Sequence, residues 1–96
     1  MKYRDESFEW DVDKSETNLR KHRCDFVQAK RAFDDERRVE AIDDRVDYGE
    51  ERCICIGVVD RELITVVYTW RGRRRRLISA WYSDDEDRYE YFKALS

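Results

Sequence analysis

The sequence predicts an α+β domain, with two N-terminal helices and one C-terminal helix packed on one face of an antiparallel sheet of four to five strands. Helical spacing of apolar residues is confined to the two ends of the chain, as in Phe26, Ala29 and Phe33 and again in Tyr89, Phe92 and Leu95. The middle consists of β-branched and aromatic runs of strand length. Those runs are joined by only a few residues, which points to hairpins.

Taken in order, residues 7–10 (Ser-Phe-Glu-Trp) read as a short strand, followed by Asp11 as the cap of a first helix running to about His22. Asp25 with Gln28 three residues later resembles a capping box, opening a second short helix whose Phe33 should face the core. Residues 39–42, 53–59 and 63–70 are three strands, and residues 74–81 the last. The connections Asp60-Arg61-Glu62 and Arg71-Gly72-Arg73 make these strands an antiparallel meander. Ser83 with Glu86, or Asp84 with Asp87, then caps the terminal helix. The expected order is βααββββα.

The 96 residues suit one domain, residues 1–96, with a single core. Charged residues make up 45% and apolar residues 41%, so the apolar side chains must concentrate on a few element faces. No apolar run reaches the roughly 18–20 residues that a membrane helix needs, and the first residues lack the apolar core of a secretory signal. A cytoplasmic protein without membrane association is expected. Three cysteines, Cys24, Cys53 and Cys55, agree with a reducing compartment rather than a disulfide framework. His22, Cys24, Cys53 and Cys55 offer four zinc ligands, but two lie at i and i+2 of a strand instead of in a turn, so buried thiols and no cofactor are the better reading.

Net charge is −3, low for a protein that handles a polyanion. Its distribution is uneven: residues 71–76 hold five arginines, and residues 84–87 are Asp-Asp-Glu-Asp.

Several ordered strings resemble the BrnT toxins of type II BrnT–BrnA toxin–antitoxin systems. They are Phe8-Glu9-Trp10-Asp11 with Lys14; Asn18 with Lys21-His22; Phe26 and Ala29, then Phe33-Asp34-Asp35; residues 47–52 (Asp-Tyr-Gly-Glu-Glu-Arg); and Gly57, Val66-Val67-Tyr68-Thr69, Arg71-Gly72 and Ile78-Ser79-Ala80. The likeness runs from Phe8 to about Tyr91. It implies a RelE-like fold, ribonuclease activity, and pairing with a BrnA-like ribbon-helix-helix antitoxin through which the complex contacts operator DNA. RNA is the implied substrate.

Metal-free RNA cleavage requires a base for the ribose 2′-hydroxyl, cations for the phosphate and an acid for the leaving oxygen. Arg76, which stands just before the family's Ile-Ser-Ala string, is the first catalytic candidate, and Arg74 lies two residues back on the same strand face. The competing reading is an edge strand blunted by charge. Arg52 can hold the phosphate with Glu51 as base or orienting partner, or the two can form an ordinary ion pair. His22, the only histidine, can serve as acid or base, or fix the helix end together with Asn18 one turn back. Tyr91, in register with the family's C-terminal tyrosine, is preferred over Tyr68 and Tyr89 as a base-stacking or proton-donating residue. Arg71, Lys21 and Lys14 are RNA-binding candidates, though such helix lysines are more often solvated charges than phosphate ligands.

Departures from the family pattern matter too. Trp81 replaces the usual arginine after Ile-Ser-Ala; an indole can stack on a base but cannot neutralise a phosphate. Arg23 stands where a glycine commonly ends the first helix, Val12 replaces a proline-like first helical residue, and residues 84–87 replace a commonly basic segment. These changes open an alternative function, a catalytically weak homologue that acts by binding antitoxin.

Overall fold

The computed structural model describes residues 1–44 and 49–96. Its strands are β1 (Lys2–Arg4), β2 (Phe8–Asp11), β3 (Val39–Asp43), β4 (Arg52–Val59), β5 (Glu62–Arg71) and β6 (Arg74–Tyr82), and its helices α1 (Val12–His22), α2 (Phe26–Ala29) and α3 (Asp85–Leu95). The strands form one sheet in the order β1-β2-β6-β5-β4-β3.

The α+β class and the β3–β6 meander agree with the sequence reading, but the sheet differs from it in two ways. It has six strands instead of four to five, and it is mixed, because β2 runs parallel to β6. The added strand, β1, is too short and polar to carry a periodic signal. It exists because Tyr3 lies opposite Trp10 in the β1–β2 ladder and stacks on its ring at 4.0 Å. The turn between them is closed by Asp5, whose carboxylate accepts hydrogen bonds from the amides of Ser7 and Phe8.

The second helix is a correction as well. Asp25 caps it as expected, accepting from the Gln28 amide, but the α-helix lasts only Phe26–Ala29 before tightening into a 3-10 segment, Lys30–Asp34. Phe26, Ala29, Ala32 and Phe33 are all buried beneath it. There the backbone lies directly on β4: a Cβ at Gly57 would stand 2.3 Å from the Ala32 carbonyl oxygen.

Side chains alternate across each strand, and the two faces differ. On one, Trp10, Cys55, Val66, Leu77 and Ala80 pack with Cys24, Phe26 and Phe33. On the other, Ile56 and Leu63 pack with Tyr91 of α3. Helices therefore cover both faces, not one, and α3 lies on the β3–β4 side of the second, reaching β5 and β6 through Tyr91 and Asp87. The expected stripe of α3 faces solvent: Tyr89, Phe92 and Leu95 are exposed, and Tyr91 is the buried residue.

Helix α1 lies against β6, beyond the short β2, and one side chain fixes it there. The buried Asn18 amide donates to the carbonyls of Cys24 (2.8 Å) and Ala80 (2.7 Å), and its oxygen accepts from the Ala80 amide and the Ser79 hydroxyl, both at 3.2 Å. Two donors and two acceptor positions are all used. The side chain thus supplies β6 with the hydrogen bonds that a neighbouring strand would give. Further along α1, the Ser15 hydroxyl accepts from the Phe26 amide, joining α1 to α2. Helix α1 ends at Arg23, in the left-handed conformation (φ 59°) with its amide bonded to the Leu19 carbonyl. This is the geometry for which glycine is the usual choice.

Asn18→Ala strands three buried backbone groups and is expected to lower unfolding free energy by about 3 kcal/mol in urea denaturation, whereas loss of one ordinary surface contact would cost less than about 0.5. Gly57→Ala drives a methyl into the Ala32 carbonyl and is expected to cost about 2 kcal/mol in the same assay.

Candidate nucleic-acid interface

The alternating arginines of β6 separate by face. Arg75 turns towards the covered face, where its guanidinium lies 4.6 Å from the ring centroids of Phe33 and Trp70 and 3.0 Å from Glu40. Tyr68 donates its hydroxyl to the same Glu40. Arg75 therefore belongs to a partly covered cluster of aromatic rings and Glu40 on the opposite face of the sheet from Arg76.

Arg76 turns to the open face. Strand pairing sets it beside Thr69 on β5 and Glu9 on β2, and Glu9 is paired in turn with Arg4 on β1. Glu9 holds Arg76 at 3.1 Å and Arg4 at 3.7 Å. The Arg76 guanidinium is largely covered, its side chain 19% exposed, and Glu9 occupies one part of its donor fork. Arg74 lies two residues along on the same face, its Nε donating to the Asp5 carbonyl, with Arg71 opposite it in the ladder.

Arg52 and Thr69 share this face, because their neighbours Cys53 and Tyr68 pair with each other and point into the covered core. Thr69 donates its hydroxyl to the Glu51 carbonyl, which brings the start of β4 against β5. The Glu50 carboxylate lies 3.7 Å from Arg52 and 3.8 Å from Arg71. The Glu51 side chain is exposed and lines a recess with Thr69, Trp70 and Arg71. Arg76, Arg74, Arg71 and Arg52 are thus brought together at one end of the open face, and Glu51, one residue before Arg52, lines the recess at that end of the sheet. The Asp47 and Tyr48 of the preceding string lie outside the described residues.

A second group lines the same strand. Lys14, Asn18 and Lys21 recur at i, i+4 and i+7 of α1, so the face of α1 that binds β6 through Asn18 also carries both lysines. With Asp13, Thr17, His22, Ile78 and Ser79 they line a groove of about 320 Å3. Lys14, Lys21 and His22 are exposed. The floor residue Ile78 is two positions from Arg76. Neither lysine takes part in an ion pair among the described residues.

At the far end of β6, Trp81 lies 6.4 Å from His22 between ring centroids. Its indole N–H donates to Asp87 at 3.0 Å, and Asp87 also accepts from the Thr65 hydroxyl. Asp84 caps α3 by accepting from the Asp87 amide. The acidic run at residues 84–87 therefore starts and anchors a helix, with carboxylates where the helix dipole favours them.

Tyr91 stands apart from both groups. It is buried under α3, and its hydroxyl donates to Asp35 at 2.6 Å. Burial, with the Asp35 carboxylate beside it, pushes the phenol up to about 12. Asp35 also accepts from the amides of Val58 and Arg37. Burial alone would raise its carboxyl, but the three hydrogen bonds together hold it below the ordinary value. All three cysteines are buried free thiols, and burial pushes Cys24 up to about 11 and Cys55 up to about 12. His22, by contrast, is exposed.

Two residues of the open face went unnoticed as site candidates in the sequence. Glu9 could have been found from strand parity, since Phe8 and Trp10 must face the core and Glu9 must oppose them. Thr69 follows by the same alternation from Tyr68.

A profile of the family described as "Ribonuclease toxin, BrnT, of type II toxin-antitoxin system" matches residues 10–87. No curated protein matches the chain.

Because the Asp35 carboxyl is held low in the folded state, it stabilises the fold above its unfolded value of about 3.9, and that contribution is lost as pH falls through the folded value. Stability should therefore fall with acid below about pH 4. Asp35→Asn should remove part of that fall as well as lower stability at pH 7; an unchanged pH profile in urea denaturation would exclude Asp35 as a contributor.

Proposed function

Since the chain belongs to the BrnT family of type II toxin–antitoxin ribonuclease toxins, we propose that it is a metal-independent endoribonuclease. It cleaves RNA by attack of the ribose 2′-hydroxyl, inhibits translation, and is neutralised by a ribbon-helix-helix antitoxin. The observation that carries this reading is the convergence on one open sheet face of Arg52, Arg74, Arg76 and Arg71 with the Lys14–Lys21–His22 groove along the same strand.

In this reading Arg76 and Arg52 hold the scissile phosphate. Guanidinium groups suit this task because a planar fork matches two phosphate oxygens and stays charged. Glu9 is the positioning residue: it restrains the Arg76 side chain, so that less conformational freedom is lost when phosphate binds. Lys14, Lys21, Arg71 and Arg74 take the flanking phosphates. Glu51 is the base and His22, exposed beside the groove, the acid, proton-transfer tasks that carboxylate and imidazole side chains perform. Trp81, fixed at its N–H by Asp87, offers its ring to a base at the His22 end. Tyr91 is assigned to holding α3 against Asp35, since its hydroxyl is already donated there.

The test is cleavage of single-stranded RNA in EDTA by the chain freed of antitoxin. Wild-type protein should cleave and leave 2′,3′-cyclic phosphate ends; Arg76→Ala should slow cleavage at least about a hundredfold, the scale of losing one charge-stabilising group. His22→Ala should slow cleavage by about a hundredfold or more, the scale of losing one general acid. Equal activity in Arg76→Ala would overturn the site. Absence of cleavage by the wild type, with antitoxin binding intact, would instead make the chain an antitoxin-binding homologue, a reading favoured by the Glu9 carboxylate on Arg76.

A further inference from the structure

At the opposite edge of the sheet from α1, a second groove of about 230 Å3 separates edge strand β3 from α3. Its floor is apolar, with Ala41, Ile54 and Ile56, while Asp44, Glu86 and Glu90 are among the carboxylates around it. Among the described residues no lysine or arginine lines it, and Lys93, on the next turn of α3, pairs with Glu90 at 3.1 Å. Strand β3 pairs only with β4 among the described residues, so the hydrogen-bonding groups of its outer side face outward. Ile42 on this edge is 61% exposed. The edge lacks the usual protections: there is no proline, and no lysine points outward from β3.

These features select the occupant. RNA is repelled by the carboxylates, and a second copy would bring the same acidic rim against itself. An open strand edge beside an apolar floor takes an extended peptide, which gains main-chain hydrogen bonds and places alternate side chains on the floor. A rim of carboxylates asks that the other side chains be cationic.

We propose that this groove is the docking site of the antitoxin, which adds to β3 as a strand alternating apolar with lysine or arginine side chains. The assignment rests on the toxin–antitoxin pairing of the previous section and names the surface that serves it. It also gives the acidic balance of the chain a use: the cations gather at the α1–β6 side for one polyanion, and the carboxylates at the β3–α3 edge for a basic partner.

The experiment uses the full chain and a BrnA-like ribbon-helix-helix antitoxin, with affinity measured by calorimetry at several salt concentrations. Glu86→Lys with Glu90→Lys should weaken binding at least tenfold. The milder Glu86→Gln with Glu90→Gln, which keeps side-chain volume, should weaken it less and flatten its salt dependence. Both carboxylates are exposed and lie outside the RNA groove, so RNA cleavage should stay as in the wild type, and unfolding is followed in parallel because Glu86 stands in the first turn of α3 and Glu90 pairs with Lys93. Wild-type affinity in the double-lysine variant would overturn the assignment alone. Self-association of the chain that the variants abolish would overturn it in favour of a second copy. A wild-type chain that cleaves RNA but binds no antitoxin would overturn both this surface and the pairing on which it rests.

Discussion

The arrangement of this molecule depends on the Asn18 side-chain amide. Strand β6 is covered on its outer side by β2 only at Arg75 and Arg76, and beyond that point its backbone needs other partners. Asn18 meets the Ala80 peptide as a strand would, with its donor on the carbonyl and its acceptor on the amide. A helix can therefore take the place of a strand in the plane of the sheet. Because Lys14 and Lys21 lie one turn either side of Asn18, the same contact draws two cations and His22 alongside the strand that carries Arg74 and Arg76. Fold and candidate site are held by one interaction.

The second organising constraint is the two-residue alternation of a strand. A run of arginines looks uniform in the sequence, but the sheet divides it. Arg75 is drawn into an aromatic and carboxylate cluster with Phe33, Trp70 and Glu40. Arg74 and Arg76 are left on the open face, where Glu9 and Glu50 temper the charge on the arginines around them. Such tempering keeps a dense cluster of like charges compatible with a small fold, since close cations otherwise repel. On the proposed reading, an RNA phosphate would share these arginines with carboxylates already present.

Much of the fold was legible because its signals are local. The β-branched runs from Val39 onward, the short turns at Asp60-Arg61 and Gly72-Arg73, and the Asp11, Asp25 and Asp84 caps all rest on neighbouring residues. What was not legible depends on distant contacts. Strand β1 is held by Tyr3 on Trp10, the parallel pairing of β2 needs β6, and α2 is cut short where its backbone settles on Gly57. The position of α3 was hidden for a related reason. Its evenly spaced Tyr89, Phe92 and Leu95 suggest a buried stripe, yet its contact with the sheet is made by Tyr91 and Asp87. Among the candidate site residues, the sequence singles out the arginines of 71–76 by their clustering and Lys14 and Lys21 by the family resemblance. It could not divide Arg75 from Arg76 without knowing which face was covered, nor tell that the Tyr91 hydroxyl was already committed to Asp35.

On the proposed reading, RNA lies across the open sheet face, between α1 and the arginines of β4, β5 and β6. The most direct measurement is a titration of isotope-labelled protein with an RNA oligonucleotide whose 2′-hydroxyls are replaced by hydrogen, followed by NMR so that binding is seen without cleavage. The account predicts that signals of Lys14, Lys21, His22, Arg52 and Arg76 shift together at a common affinity that falls with salt, while those of Phe26, Ala32 and Phe33 on the covered face do not. Shifts confined to the covered face or to the β3–α3 edge, with the open-face signals unmoved, would contradict it.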